Sequence, residues 1–347
     1  MAVVACARTC YRQGLPADTQ PEEGVTLEHN PAISVILITP DRYQDLRKTI
    51  SYLRAQAVYD RMEIVIVSPS ADSLQADQRE LREFSQFRVV EVGPITSVGP
   101  AYAAGIRHAS APVVVLGEDH SFPDPGWAEA LLRAHEQPWA AVGPVVRNAN
   151  PGSRMSWADF FIGYGPWQEP MLAGEMEHLP GHNSSYKRDI LLHYDDRLDT
   201  MMDAESVLHW DLRRNGYRLY LEPAAKTSHV NFTLFSSWVQ ALFLSGRKFA
   251  SIRVTNESWS RTRRLLFSAA APLIPLVRFR RIAADVRRPG RPRQVLLGVA
   301  PILLFGLAVD AAGQMVGCAL GAGAAREELL CFEFHRYRHV RKGDQST

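Results

Sequence analysis

Glu118, Asp119 and His120 stand side by side, directly after the apolar run Val113 to Leu116 and before a Pro- and Gly-rich turn that closes at Trp127. The apolar run reads as a buried strand. A strand spends its backbone groups on sheet hydrogen bonds. Side chains just past its C-terminal end are free to act in a crevice, where open α/β sheets bind ligands. Two carboxylates and an imidazole offer oxygen and nitrogen ligands to a divalent cation, and such a cation can hold a diphosphate. A solvated turn with chance acidity is the plainer alternative.

The elements around that turn alternate. Ile33 to Ile38 reads as a strand, and Leu46, Ile50 and Leu53 recur at helical spacing. Glu63 to Val67 and Arg88 to Val92 read as further strands, and Gly99 to Ala109 as a helix leading into the strand at Val113. This alternation predicts βαβ units, and with them an open, mostly parallel twisted sheet flanked by helices. Beyond the turn, Trp127 to His135 reads as a helix and Ala141 to Val146 as a strand. The segment from Asp203 reads as a helix stopped at Asn215-Gly216, with a strand from Tyr217 to Leu221 after it. Trp157, Phe160, Phe161, Tyr164 and Trp167 form either a core flap or an aromatic platform for an acceptor.

The 347 residues carry a formal net charge of +2, which gives no global signature of nucleic-acid binding. Cys6, Cys10, Cys318 and Cys331 sit at the two ends of the chain and suggest reduced thiols in a cytosolic compartment. Residues 1–30 read as a flexible tail without a signal-peptide core. Residues 31–255 read as one α/β domain and 256–347 as a C-terminal helical, membrane-associated region. In that region Arg278 to Arg293 holds seven arginines against one acid, Asp285. Val295 to Ala325 is then almost uncharged, with Asp310 and Gln314 in its middle. One membrane span, a hairpin broken near Ala311 to Gly313, and an in-plane element all stay open. The arginines suit an anionic cytoplasmic leaflet. A buried helical hairpin with a basic loop is the soluble alternative.

Taken in order, these segments resemble a family 2 glycosyltransferase with a GT-A fold, from about Ile33 to Arg253. ISVILITPDR matches the opening strand and its loop, EIVIVSPSAD the second strand, and GPAYAAGIRHA the helix before the metal strand. VVVLGEDHSFPDPGW matches the metal strand with its Pro-Gly-Trp turn. GHNSSYKRDIL resembles the family's Gly-x-Asn segment, and DAESVLHWDLRRNGYRLYLEP its catalytic acidic helix and Gly-Tyr-Arg strand. His229 falls where many relatives place a histidine.

The resemblance implies an inverting, metal-dependent transferase that uses a nucleotide-sugar and a lipid-linked or surface-glycan acceptor at the cytoplasmic face of the cell membrane. Glu118, Asp119, His120 and His229 are the metal candidates, with Mn²⁺ or Mg²⁺ as the cation; imidazole tilts the choice toward manganese. If Glu118 and His120 occupy the end positions of the motif, Asp119 is its middle residue; a shift of one makes Asp119 the ligand. Glu118 and Asp119, with Thr39, Asp41, Arg42 and Asp72 after the first two strands, are the candidates for holding the donor. Glu205, or else Asp203, is the candidate base for the acceptor hydroxyl. His182 and Asn183 are candidates for the acceptor side. Four features depart from the family pattern, the first being a metal motif of Glu118-Asp119-His120 instead of two aspartates around one residue. Ser68-Pro69-Ser70 replaces the usual acids, Ala204 replaces an acid on the helix, and Asp211 replaces an arginine. These departures keep a second reading open, a membrane-anchored relative that binds a nucleotide or a partner without catalysis.

Overall fold

The computed structural model describes residues 30–288 and 290–344. Cys6, Cys10 and nearly all of the expected N-terminal tail lie outside them.

The first half of the sheet consists of β1 (Ile33–Ile38), β2 (Met62–Ser68), β3 (Gln86–Glu91) and β4 (Val113–Leu116). They pair in parallel in the order β3-β2-β1-β4. β1, β2 and β4 are buried along their whole length, which is why they read as continuous apolar runs rather than alternating ones. Alternate side chains feed two cores. Leu37 and Ile66 meet α1 (Tyr43–Arg54) through Leu46 and Ile50. The short helices α2 (Ala71–Leu74) and α3 (Gln78–Leu81) lead to β3, and α4 (Val98–His108) leads to β4. On the other face, Ile36, Val65 and Val114 meet Ala101, Tyr102 and Ile106 of α4. Each fully buried large aliphatic side chain contributes about 1.5–3 kcal/mol.

The second half of the sheet is mixed. β5 (Ser121–Pro123) precedes α5 (Trp127–Ala134), which buries Trp127. β6 (Ala141–Asn148), β7 (Gly174–Met176), β8 (Ser185–Lys187) and β9 (Leu219–His229) continue the order as β4-β8-β6-β9-β5, with β7 on β9. β8 runs antiparallel to both β4 and β6, while β6 and β9 are parallel. The sheet is thus parallel where strand–helix units repeat, and mixed where strands distant in sequence, β4 with β8, β6 with β8 and β5 with β9, pair antiparallel.

β9 runs well past its expected end at Leu221. A bulge absorbs Pro223, Ala224 and Ala225, so that Glu222 faces Pro144 and Lys226 faces Val145. The strand then continues to His229, which pairs with Ser121 next to His120.

Helices complete the molecule. α6 (Arg154–Gly163) follows β6, α7 (Arg188–Leu192) and α8 (Leu198–Met202) follow β8, and α9 (Glu205–Arg214) precedes β9. The expected stop is present, with Asn215 as the cap and Gly216 at φ +85°. α10 spans Phe235–Asn256. Beyond it come α11 (Arg261–Ala270), α12 (Ile274–Val286), α13 (Arg293–Leu320) and α14 (Ala325–Phe334). Phe160 and Phe161 of α6 join Trp238, Leu242, Leu303, Leu307 and Leu329 in a third core, so these two aromatics belong to a core flap.

α13 is unbroken through Ala311 to Gly313, which excludes the hairpin. One face lies so close to α10 that a Cβ on Gly313 would come within 2.1 Å of the Phe243 carbonyl oxygen. On that side Asp310 accepts from Arg278 at 2.6 Å and from Gln314 at 2.8 Å, so its charge is satisfied within the protein. Leu297, Leu304, Phe305, Met315 and Leu320 of the same helix are exposed. The helix is long and apolar enough to cross a membrane.

Candidate active site

The acidic turn is held from several sides. Thr49 of α1 donates to the Glu118 carbonyl at 2.9 Å, and the Gly117 N–H donates to Ile36 at 2.9 Å. The segment Gly181-His182-Asn183 is tied to the same strand end. The Asn183 N–H donates to Leu116 at 2.7 Å, and its side-chain amide donates to Ser121 at 2.5 Å. Asn183 sits at φ +57°, a left-handed conformation that asparagine tolerates better than most residues. The result places His182 Nδ1 2.8 Å from Glu118 Oε1.

On its other side, Glu118 Oε2 lies 3.6 Å from His120 Nε2 and 3.6 Å from His229 Nε2. All three atoms are buried, and none has a hydrogen-bond partner. The far nitrogens explain which lone pairs point inward. His120 Nδ1 lies 2.5 Å from Asp119 Oδ1, and His229 Nδ1 lies 3.1 Å from Asn231 Oδ1. The Asn231 contact places the proton of the His229 ring on Nδ1 and leaves its Nε2 as an acceptor, and His120 takes the same tautomer when Asp119 accepts as a carboxylate. Burial lowers His120 to about 4 and His229 well below the ordinary histidine value, so both rings are neutral at pH 7. Three buried acceptor atoms therefore converge, each without a donor from the protein. That arrangement is costly unless a cation joins them, and neutral imidazole plus carboxylate is a donor set that divalent metals take. The residues fit a metal ion. A second group, Glu118, His182 and Glu333, has its ligand-type atoms within 4.8 Å of one another.

Burial raises the Asp119 carboxyl to about 8, against the pull of Arg336. For His182, burial works downward, but the Glu118 carboxylate outweighs it and lifts the ring to about 9, so it is an imidazolium at neutral pH. Burial pushes Glu333 up, yet Arg336 and His182 outweigh it and hold the group below the usual range.

A cavity of about 230 Å³ joins Glu118, Asp119, His120 and His182 to Asp203, Glu205, Lys248 and Glu333. A search of the curated proteins finds no match. Residues 34–194 match the model of glycosyl transferase family 2. This segment is a family 2 glycosyltransferase domain. Among solved structures, the mannosyltransferase PcManGT from Pyrobaculum calidifontis, in complex with GDP-Man and Mn²⁺, is similar at TM-score 0.52 and 15% identity, over 84% of this chain and 87% of that one. S. aureus TarS 1-349 in complex with UDP is similar at TM-score 0.44 and 15% identity, over 82% and 89%. The fold is GT-A.

Beyond the matched segment, the two candidate bases stand in different surroundings. Glu205 is the first residue of α9, and its carboxylate packs on Gly181. A Cβ there would come within 3.0 Å of the Glu205 carboxyl carbon, so Gly181 leaves room for the acid. Glu205 also lines a neighbouring cavity of about 310 Å³, together with Tyr164, Trp167, His229 and Arg336. Tyr164 and Trp167 thus face open space, unlike Phe160 and Phe161. Asp203 is tied down. It accepts from Ser97 Oγ and from the Gly99 N–H at 2.9 Å, fastening the start of α4, and it lies 3.4 Å from Arg326.

The donor-rim candidates share the sheet edge that carries Glu118. None of them lines the cavities described above. Thr39 is buried and accepts from the Asp41 N–H at 3.2 Å. Asp41 lies 3.5 Å from His335. Arg42 is exposed at the start of α1, and Asp72 is exposed in α2.

Sequence reasoning missed Asn231, Lys248, Glu333 and Arg336. Arg336 is buried, its guanidinium lies 3.9 Å over the Phe232 ring, and its Nε has no partner. The available signals were faint: isolated charges in the aromatic segment Phe332 to Tyr337, and an asparagine two residues beyond His229.

Proposed function

We propose that this chain is a metal-dependent, inverting glycosyltransferase. It moves a sugar of the hexose type from a nucleotide-sugar to a lipid-linked or surface-glycan acceptor at the cytoplasmic face of a membrane. The observation that carries the reading is the convergence of Glu118 Oε2, His120 Nε2 and His229 Nε2, buried and unpartnered, in a crevice that also holds Glu205. Glu118, His120 and His229 would hold Mn²⁺ or Mg²⁺, and two imidazoles favour manganese. The ion's contribution is electrostatic stabilisation of the departing diphosphate. The likeness to a mannosyltransferase with GDP-Man and Mn²⁺ in its structure supports this choice.

The chain's own residues supply the rest. Asp119 and Asn231 hold the two imidazoles in the ligating tautomer, as outer partners of metal-binding histidines do. Glu205 accepts the proton of the acceptor hydroxyl as the new glycosidic bond forms. Asp203 positions the start of α4 close to α9 and is the second choice for the base. Thr39, Asp41, Arg42 and Asp72 form the rim for the nucleoside. Membrane attachment rests on the exposed Leu265, Leu266, Leu273 and Leu276 beside the arginine block, and an in-plane arrangement fits the packing of α13 against α10.

The test is a donor screen of the purified full chain with Mn²⁺, scored by nucleotide release with and without solubilised acceptor lipids. Release that needs Mn²⁺ is expected for one donor. No release and no metal-dependent nucleotide binding across the common nucleotide-sugars would refute the reading.

A further inference from the structure

A cavity of about 960 Å³ lies beside the candidate active site. Ser206, Ser245 and Phe249 belong to its wall and also to the wall of the cavity holding Glu118 and Glu205. We propose that it seats an amphiphilic acceptor, a long apolar chain with an anionic phosphate head. The inference rests on the transferase reading and names the acceptor class for that same site.

Three features support it. The wall is aromatic and aliphatic, with Trp167, Trp210, Phe249, Phe267 and Ile274 on it. Few neutral polar groups are available to a bare oligosaccharide. The mouth is apolar and open. Leu273 and Val277 line the cavity and are 60% and 46% exposed, and Leu276 beside them is 60% exposed. A chain that continues outward into a bilayer would cover these side chains.

The charges leave a cation over. The acids of the wall are Glu175, Glu177 and Asp310, and they meet Arg218 at 3.6 Å, Arg213 at 3.6 Å and Arg278 at 2.6 Å. Arg253 pairs with Glu257 at 3.1 Å and stacks 4.8 Å from the Trp210 ring. Arg281 lines the cavity, is exposed, and has no partner among the described residues. A guanidinium at the edge of an apolar wall suits a phosphate, which it can bind bidentately.

Trp167 and Trp210 report on the site directly. The full chain is titrated with doxyl-labelled dodecyl phosphate and with doxyl-labelled dodecanol, both below their micelle concentrations, and tryptophan quenching is followed. We expect saturable quenching, at least about tenfold tighter for the phosphate. Trp210→Phe should remove much of the quench, and Arg281→Glu should weaken the phosphate about tenfold while sparing the alcohol. Equal affinity for the two probes, no saturable quenching, or an Arg281→Glu protein that binds the phosphate like the parent would overturn the proposal. The contrast between the two probes needs no variant. Calorimetry with nucleoside diphosphate and Mn²⁺ separates the two readings. Nucleotide binding without quenching removes the lipid seat alone, and quenching without nucleotide binding removes the transferase reading alone.

Discussion

Glu63 and Glu118 are both buried glutamates of the same parallel sheet, yet they stand at opposite edges and in opposite states. Glu63 lies near the start of β2. It accepts from Ser34 Oγ at 2.5 Å, from the Ser110 N–H at 2.7 Å and from Arg88 at 2.9 Å. Burial would raise its carboxyl, but these donors outweigh burial and hold it below the usual range. Glu118 lies past the end of β4, and its Oε2 faces two imidazole lone pairs with no donor. Burial alone does not tell a structural acid from a functional one. Satisfaction does, because an orphaned buried oxygen costs free energy unless something outside the chain completes it. Asp203 belongs with Glu63, since a hydroxyl and an amide fasten it to α4.

Removing Glu118 should have the largest effect. Glu118→Ala should abolish Mn²⁺-dependent nucleotide binding in calorimetry while the unfolding midpoint stays near that of the parent. A variant that still binds but melts early would move Glu118 to the structural side.

Glu205 and Asp203 extend the contrast to catalysis. Glu205→Gln should lower turnover by ~10²–10⁴ with donor affinity unchanged. Asp203→Asn should instead cost about 1–3 kcal/mol in urea unfolding. A stable, inactive Asp203→Asn beside an active Glu205→Gln would exchange their roles.

Asn231→Ala should weaken Mn²⁺ binding by ~10–100-fold, because His229 loses the partner that sets its tautomer. Unchanged metal affinity would mean that the strand alone orients the ring.

At the structural edge, Glu63→Ala should cost about 1–3 kcal/mol and leave Mn²⁺-dependent nucleotide binding intact. The smallest effect is its pH dependence. The folded-state value of Glu63 is depressed, so its stabilisation is complete above the ordinary value of 4.5 and is lost as the pH falls through the folded value. Urea midpoints measured from pH 7 down to 3 should fall less steeply for Glu63→Gln than for the parent. Parallel curves would show that the carboxyl gains nothing from its three donors.

Much of this was legible in the residues. The apolar runs of β1, β2 and β4 announce strands buried on both faces, because a parallel sheet covered by helices needs no polar side. Asn215-Gly216 announces a helix stop because glycine accepts positive φ at no steric cost. The ligand-type residues Glu118, Asp119 and His120 were visible as a cluster. Their division of labour was not, since whether Asp119 ligates or orients depends on which nitrogen of His120 it reaches. The end of β9 was misjudged because Pro223 breaks the local pattern. Only pairing with β6 across a bulge carries the strand on to His229. The unbroken course of α13 was likewise hidden, because Asp310 looks prohibitive until Arg278 and Gln314 meet it. Local propensity and periodicity thus decided the elements. Long-range packing decided which polar atoms are satisfied, because a hydrogen-bond partner far away in sequence leaves no mark on the residues around either end.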